Sequence, residues 1–416
     1  MKNTPVIALL VAYGPEARAF VQSGLAERLA SRCRVVLATS RPSSPALAAW
    51  DGPVELMPDA AERPGMRRVR GVSERLRRLP SNRIRAAAAR TERFVSRAAG
   101  GSSEWTVFLR RHSISAVVAA SYSSARTLPA LQSARNSRLP TVTLLNSFKD
   151  VYKRAYAPSP PSAVAVFGER EDRWFRRHNP GYDGVLSIGG SLHLSAVWAR
   201  RGETSRSEFC RGLRLDPARP IVTYCASCAS TAESSVEELN WVRRLAREVP
   251  TWRGRPQMLV RGNPMDEAGR WDGLPATVWV PDWESDRAGD WCCPSTGDAV
   301  HWAAALEQSA LCISGPSTVA TEFVAFGKPV VNLCGPAAWR RLWEDEAYRE
   351  IRERGWATPA LDMGELRSLA DRALARDLTP PPAVFASSDP VKTAVDLIEE
   401  VLHMPYPRRD PIPLTA

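Results

Sequence analysis

Leu311-Cys312-Ile313-Ser314-Gly315-Pro316-Ser317-Thr318-Val319-Ala320-Thr321-Glu322-Phe323-Val324-Ala325-Phe326-Gly327-Lys328-Pro329-Val330-Val331-Asn332 is the stretch that decides the fold. A short apolar run predicts a strand ending at Ile313. A tight Ser-Gly-Pro turn follows, and Ser317 or Thr318 is placed to cap a helix. That helix ends at Gly327, and Pro329 opens the next strand. Strand, turn, helix and strand in this order make a βαβ crossover. The uncapped N–H groups at 317–320 and the positive end of the helix dipole would favour an anion. The hydroxyls of Ser317 and Thr318 add donors. Glu322 lies one turn further on, on the face of Thr318, where a carboxylate accepts bonds from ribose hydroxyls more readily than it faces a phosphate. Taken alone, the same residues also make an ordinary N-cap at an ordinary crossover.

Working outward, the same alternation recurs. Strands are predicted over 6–12, 34–38, 114–120, 141–145 and 163–167, with a helix over 16–32. After Gly189-Gly190 the pattern pauses, and residues 195–219 form a connecting helix and a turn. A second series begins at Ile221-Val222-Thr223-Tyr224, with strands at 258–260, 277–280, 311–313 and 329–333 and helices at 232–247, 298–309 and 318–326. Short β-branched runs of this kind belong to parallel strands covered on both faces. The fold class is therefore α/β, with two Rossmann-like doubly wound domains and a cleft between them. The domains are 1–200 and 201–400, followed by a Pro-rich tail over 401–416 that carries Pro405, Pro407, Pro411 and Pro413. A chain of 416 residues exceeds what one core usually organises.

Composition narrows the function. The run Val6–Ala12 stands behind a single Lys2, without a basic leader or a small-residue cleavage site. It is expected to be a buried first strand, in a cytoplasmic protein. No apolar run reaches the roughly 18 residues of a membrane-spanning helix. Of eight cysteines, Cys33, Cys225, Cys312 and Cys334 fall in core-like runs. Cys225-Ala226-Ser227-Cys228 and Cys292-Cys293 lack a second ligand pair, so no metal is expected. The formal charge of +11 is concentrated between Arg67 and Arg97, where eleven arginines meet only Glu74 and Glu92. Val69, Val72, Leu76 and Leu79 recur there at helical spacing. The segment is either a solvated helix face or a docking surface for an anionic membrane or a phosphorylated acceptor. No helix-turn-helix, RNA-binding or zinc-finger pattern accompanies the charge, which excludes nucleic acid as the expected partner.

The stretch 311–334 resembles the C-terminal signature of glycosyltransferase-B enzymes and their relatives: bacterial surface-polysaccharide glycosyltransferases, sugar-nucleotide 2-epimerases and polyglycerol-phosphate transferases. The shared features here are Ser314-Gly315-Pro316-Ser317-Thr318, Glu322 and Gly327-Lys328-Pro329-Val330. The resemblance implies that Ser317 and Thr318 hold a donor diphosphate and Glu322 its ribose. Arg261-Gly262-Asn263-Pro264 resembles the Arg-x-His-Pro strand end of the polysaccharide transferases, with Asn263 where histidine is usual. Arg261 is then a phosphate partner, and Asn263 removes proton chemistry from that position. Asp298-Ala299-Val300-His301-Trp302 is similar to the segment before the donor loop, which puts His301 or Trp302 against the base. In the first half, Tyr13-Gly14-Pro15-Glu16-Ala17-Arg18 occupies the loop after the first strand, bringing Gly14 and Arg18 toward the nucleotide. It is no GxGxxG fingerprint, so dinucleotide binding is disfavoured. Asn146–Lys153 and Phe167-Gly168-Glu169-Arg170 resemble further segments of the polysaccharide transferases, as does Ile188-Gly189-Gly190-Ser191.

The expected function is sugar transfer from a nucleotide-sugar donor to a glycan or lipid-linked acceptor in bacterial surface-polysaccharide synthesis. The protein would be peripheral at the inner membrane face. No cofactor other than the nucleotide-sugar co-substrate is expected. Glu16, Asp150 and Glu169 are the catalytic candidates, by loop position. A sugar-nucleotide 2-epimerase, a CDP-alditol phosphotransferase and a non-catalytic nucleotide-binding partner are the alternatives.

Overall fold

In a computed structural model of the chain, the described residues are 4–59, 64–77, 84, 87–88, 90–92, 94–95, 101–145, 147–153, 156–179, 181–227, 235–266, 269–281, 283–285, 291–378 and 389–404. Much of the arginine-rich segment 67–97 and the tail beyond Met404 lie outside them.

The first sheet has seven parallel strands. These are β1 (Val6–Val11), β2 (Arg34–Thr39), β3 (Val54–Leu56), β4 (Ala116–Ala119), β5 (Thr141–Leu144), β6 (Ala163–Val166) and β7 (Val185–Ile188), in the order 3-2-1-4-5-6-7. The second half contributes β8 (Ile221–Cys225), β9 (Gln257–Arg261), β10 (Thr277–Trp279), β11 (Trp283–Ser285), β12 (Cys292–Pro294), β13 (Leu311–Ser314), β14 (Val330–Leu333) and β15 (Thr358–Ala360). Six of these form a second parallel sheet in the order 10-9-8-13-14-15, while β11 and β12 make an antiparallel ribbon. The continuous burial of β1, β4, β5, β8 and β13 explains why their sequences are apolar without alternation. The two switch points lie between β1 and β4 and between β8 and β13, where open α/β sheets offer crevices at their strand ends.

Three features depart from the expected outline. The single helix expected over 16–32 is broken. One turn, Gly14–Ala17, runs into a π-turn over Arg18–Gln22, and a second helix spans Leu25–Ala30 after Gly24 takes φ +82°. Only a residue without a Cβ adopts that conformation freely. The edge strands β3, β7, β10 and β15 and the β11–β12 ribbon carry weak or half-buried patterns, which hid most of them from periodicity. The helix Pro390–His403, which falls in the second half of the chain, buries Val391, Val395, Leu397, Ile398 and Val401 in the core of the first domain. Asp389 caps it through Lys392 N (2.8 Å), and Arg28–Asp389 (2.8 Å) and Arg32–Glu399 (2.6 Å) flank it. The apolar side chains hold this helix down, at about 1.5–3 kcal/mol each for full burial, whereas the exposed ion pairs add little.

Candidate active site between the two sheets

The loop after β1 meets the second domain along one stripe of residues four apart. A Cβ on Gly14 would stand 2.3 Å from the carbonyl oxygen of Cys292, so the backbones touch only because residue 14 is glycine. Arg18 Nη2 donates to Glu322 Oε2 at 3.1 Å, and Gln22 Nε2 donates to Pro294 O at 2.7 Å. A π-turn widens the spacing of carbonyls and side chains and is found often at functional sites. Here it carries both polar contacts.

Glu322 sits in helix Val319–Ala325, behind the Ser-Gly-Pro turn. Asn332 Nδ2 steadies that turn through Ser314 O, Ser314 Oγ and Gly315 O. Oε2 of Glu322 takes Arg18 and also Trp302 Nε1 (2.5 Å), and no described residue bonds Oε1. Burial acts to raise its pKa, but Arg18, the Trp302 N–H and Arg261 together outweigh it and hold the carboxyl below its ordinary value.

Arg261 ends β9 beside this pair. Its guanidinium lies 4.2 Å from the Trp302 ring centroid, 5.5 Å from that of Trp279 and 5.8 Å from that of Trp283. Nε is buried without a partner, and no described residue accepts any of its hydrogens. Burial lowers its pKa, opposed first by Cys225 and then by Asp298 and Glu322. Nε of Arg18 is likewise buried and unpartnered. Two guanidiniums with spare donors thus flank one carboxylate at the interface. His301 packs against Trp279 (4.3 Å between centroids) and Phe209 (5.1 Å), with Nε2 buried and unpartnered; burial lowers its pKa.

Of the other candidates, Ser317 and Thr318 are half-buried at the start of the Glu322 helix, and Ser317 Oγ accepts Val319 N at 3.4 Å. Asn263 is closed on itself: its N–H goes to Asp266 and its Oδ1 caps Met265 N. Asp150 Oδ2 accepts Ser147 N, at the start of a second interdomain contact. There Phe148 packs among second-domain residues, Lys149 bonds Tyr348 Oη, and Tyr348 Oη donates to Pro316 O at 2.5 Å. Glu169 stands apart: it is 73 % exposed and pairs with Arg173. Its neighbour Arg170 reaches the second domain instead, through Glu346 (2.9 Å) and Glu353 (2.7 Å).

Glu16 is buried, and its Oε2 accepts Ala12 N (2.5 Å) and Tyr13 N (3.0 Å). Burial pushes its pKa up to about 8; the two N–H bonds and Arg126 restrain the rise, and Asp150 adds to it. A carboxyl whose pKa is raised from about 4.5 binds its proton more tightly when folded. Its stabilising contribution is complete below that lower value and lost as pH rises through about 8, each tenfold gain in proton affinity being worth about 1.4 kcal/mol. Glu16→Gln keeps the acceptor oxygen but does not titrate. It is expected to flatten the fall in melting temperature between about pH 5 and 8. An unchanged slope would assign that fall to another group.

His193 is the residue that sequence reasoning missed. It is the second residue of helix Leu192–Trp198, which Ser191 caps through Leu194 N at 3.2 Å. Its Nε2 lies 2.8 Å from Pro15 O, and the charges of Arg18 and Glu322 act on the ring. The only local signal was a cap residue after Gly189-Gly190. Among the described residues, no three His, Cys, Asp or Glu side chains converge as metal ligands, and no helix is long and apolar enough to cross a membrane.

No protein-family model and no curated protein matches the sequence. Solved structures do match its fold. S. aureus MnaA with UDP is 8 % identical, with a TM-score of 0.62 over 98 % of this chain and 100 % of that one. The UDP-GlcNAc 2-epimerase from Neisseria meningitidis, bound to UDP-GlcNAc, is 9 % identical, with a TM-score of 0.61 over 95 % of this chain and all of the other. The calicheamicin glycosyltransferase CalG4 is 13 % identical, with a TM-score of 0.54 over 97 % and 99 %. The chain therefore has the two-domain glycosyltransferase-B fold expected from the 311–334 signature, shared by epimerases and transferases of nucleotide sugars.

Proposed function

We propose that this protein binds a nucleoside-diphosphate sugar between its two domains and breaks the bond from the anomeric carbon to the diphosphate. The guanidinium of Arg261, half-buried among indole rings with its Nε buried and unpartnered, carries this reading. A buried N–H without an acceptor is costly, and an anionic ligand supplies the missing acceptor. Arg18 and Arg261 would take the diphosphate charge that grows as the glycosyl bond breaks, and no metal is invoked for it. The unbonded Oε1 of Glu322 would take a ribose hydroxyl, with Ser317 and Thr318 adding donors to the phosphates. Isomerisation at C2 of the sugar is the reading to test first, since the neighbours in fold include a 2-epimerase bound to UDP-GlcNAc. Transfer to a glycan or lipid-linked acceptor is the second, since the neighbours in fold include the calicheamicin glycosyltransferase CalG4. In that reading the exposed Val72, Ile84 and Phe94, set among the arginines of 67–97, would rest on anionic lipid.

A thermal-shift panel of UDP, CMP, CDP, GDP and dTDP tests binding, with Glu322→Ala as control. One nucleotide at about 100 times its Kd should stabilise the wild type by about 2.7 kcal/mol and the variant by much less. No shift with any of the five would end the nucleotide-sugar reading.

A further inference from the structure

We infer that His193 is the proton acceptor of this reaction, acting through Nδ1; the inference rests on the glycosyl-bond cleavage proposed above. A carbonyl only accepts, so the 2.8 Å contact with Pro15 O requires the hydrogen on Nε2. Nδ1 is then a bare lone pair, and no described residue donates to it. The residue is half-buried at the domain interface. Its helix packs on the π-turn that carries Arg18, and the charges of Arg18 and Glu322 act on the ring. A base whose tautomer is fixed from behind, beside the groups that would hold the leaving diphosphate, is the arrangement that proton transfer requires. At the strand end of the second domain Asn263, which cannot take up a proton, stands with its Oδ1 bonded to Met265 N.

Electrostatics are consistent with this role. Burial and then Arg18 push the His193 pKa down to about 4, while Glu322 and the Pro15 carbonyl oppose them. The helices Thr296–Gln308 and Pro390–His403 also pack on this helix, and the charges that act most on the ring are those of Arg18 and Glu322. The imidazole is therefore neutral at pH 7. A diphosphate that takes up the Arg18 charge would remove part of the downward push and strengthen the base when substrate is bound.

The step balances in either form of the reaction. In isomerisation Nδ1 takes the proton from C2; the C–H electron pair becomes the C1–C2 double bond, and the C1–O pair leaves with the diphosphate. In transfer Nδ1 takes the proton of the attacking hydroxyl as its oxygen bonds C1, and the same C1–O pair leaves.

The test uses the full chain with UDP-N-acetylglucosamine and UDP-glucose in D2O. UDP release is followed alongside deuterium at C2 by mass spectrometry. His193→Gln, whose amide can still donate to Pro15 O, and His193→Ala should keep the UDP-dependent thermal shift. Both should lose about 10²–10⁴-fold in kcat. Added imidazole should restore part of the activity to His193→Ala and none to His193→Gln. In the wild type, the acid limb of kcat should lie at higher pH than that of kcat/KM. Deuterium at C2 assigns isomerisation; UDP release without it assigns transfer to water or an added hydroxyl. The inference is overturned if His193→Gln keeps kcat within about threefold of wild type, or if the variants lose the UDP shift together with activity. A wild type that shows neither UDP release nor deuterium sinks the cleavage reading itself, and this inference with it.

Discussion

Arg261→Met is expected to make the ligand-free protein more thermostable and to abolish its stabilisation by the nucleotide. Without ligand the guanidinium is half-buried, its Nε is buried and unpartnered, no described residue accepts its hydrogens, and three indole rings lie 4.2–5.8 Å from it. Taking such a charge out of water costs several kcal/mol, and replacing buried charge by well-packed apolar groups often gains about 1–4 kcal/mol. Cation–π contacts offset part of the penalty, at up to about 2 kcal/mol when desolvated. The penalty is the larger quantity, and methionine keeps the unbranched shape inside the tryptophan box. The melting temperature should therefore rise by roughly 2–4 °C per kcal/mol gained. The ligand-dependent gain of about 2.7 kcal/mol should disappear, because the acceptors of the diphosphate would meet a thioether. Differential scanning with and without UDP reads both effects. A variant that melts lower and still responds to UDP would show that Arg261 is a packing residue.

Glu322→Ala should have the opposite effect on the empty protein. It leaves Arg18 with no counter-ion, and it removes the carboxylate hydrogen-bonded to Trp302. Breaking one side of a buried pair typically costs about 3–5 kcal/mol. The double variant Arg18→Met with Glu322→Leu should recover most of that loss, and a double-mutant cycle would return a coupling well above the error of additivity. The pH dependence has a definite sign. The folded-state pKa of Glu322 is depressed below about 4.5, so its contribution is present above that value and lost as pH falls through the lower folded value. Acid melting should therefore be shallower in the double variant than in the wild type. Equal acid limbs would exclude Glu322 as the group that titrates.

Both effects have one cause, the excess of positive charge at the domain interface. Arg18 reaches it from the first domain and Arg261 from the second, with Glu322 between them. A binding site there would hold its donors ready at the expense of stability, in line with the general trade-off between function and stability.

Much of this was legible in the amino-acid sequence, because short-range chemistry determines it. Parallel strands buried on both faces must be apolar throughout, so β1, β4, β5, β6, β8, β13 and β14 stood out as runs. The turn at Ser314–Thr318, the chain reversal at Gly327 and the early Glu322 follow from local backbone preferences, and they marked the second domain correctly as α/β. Arg261 at a strand end and Arg18 behind the first loop are placed toward the cleft by the family resemblance alone. Tertiary structure alone decided what these residues meet. That Arg18 binds Glu322 304 positions away, that Gly14 permits backbone contact with Cys292, and that Pro390–His403 completes the first core are long-range facts with no local pattern. Glu169 and His193 show the same limit in opposite directions. Both follow strands β6 and β7 at similar offsets, yet one lies on a solvated helix face and the other against Pro15 at the interface. Periodicity records which face of an element is buried; which neighbour buries it depends on how the two sheets are brought together.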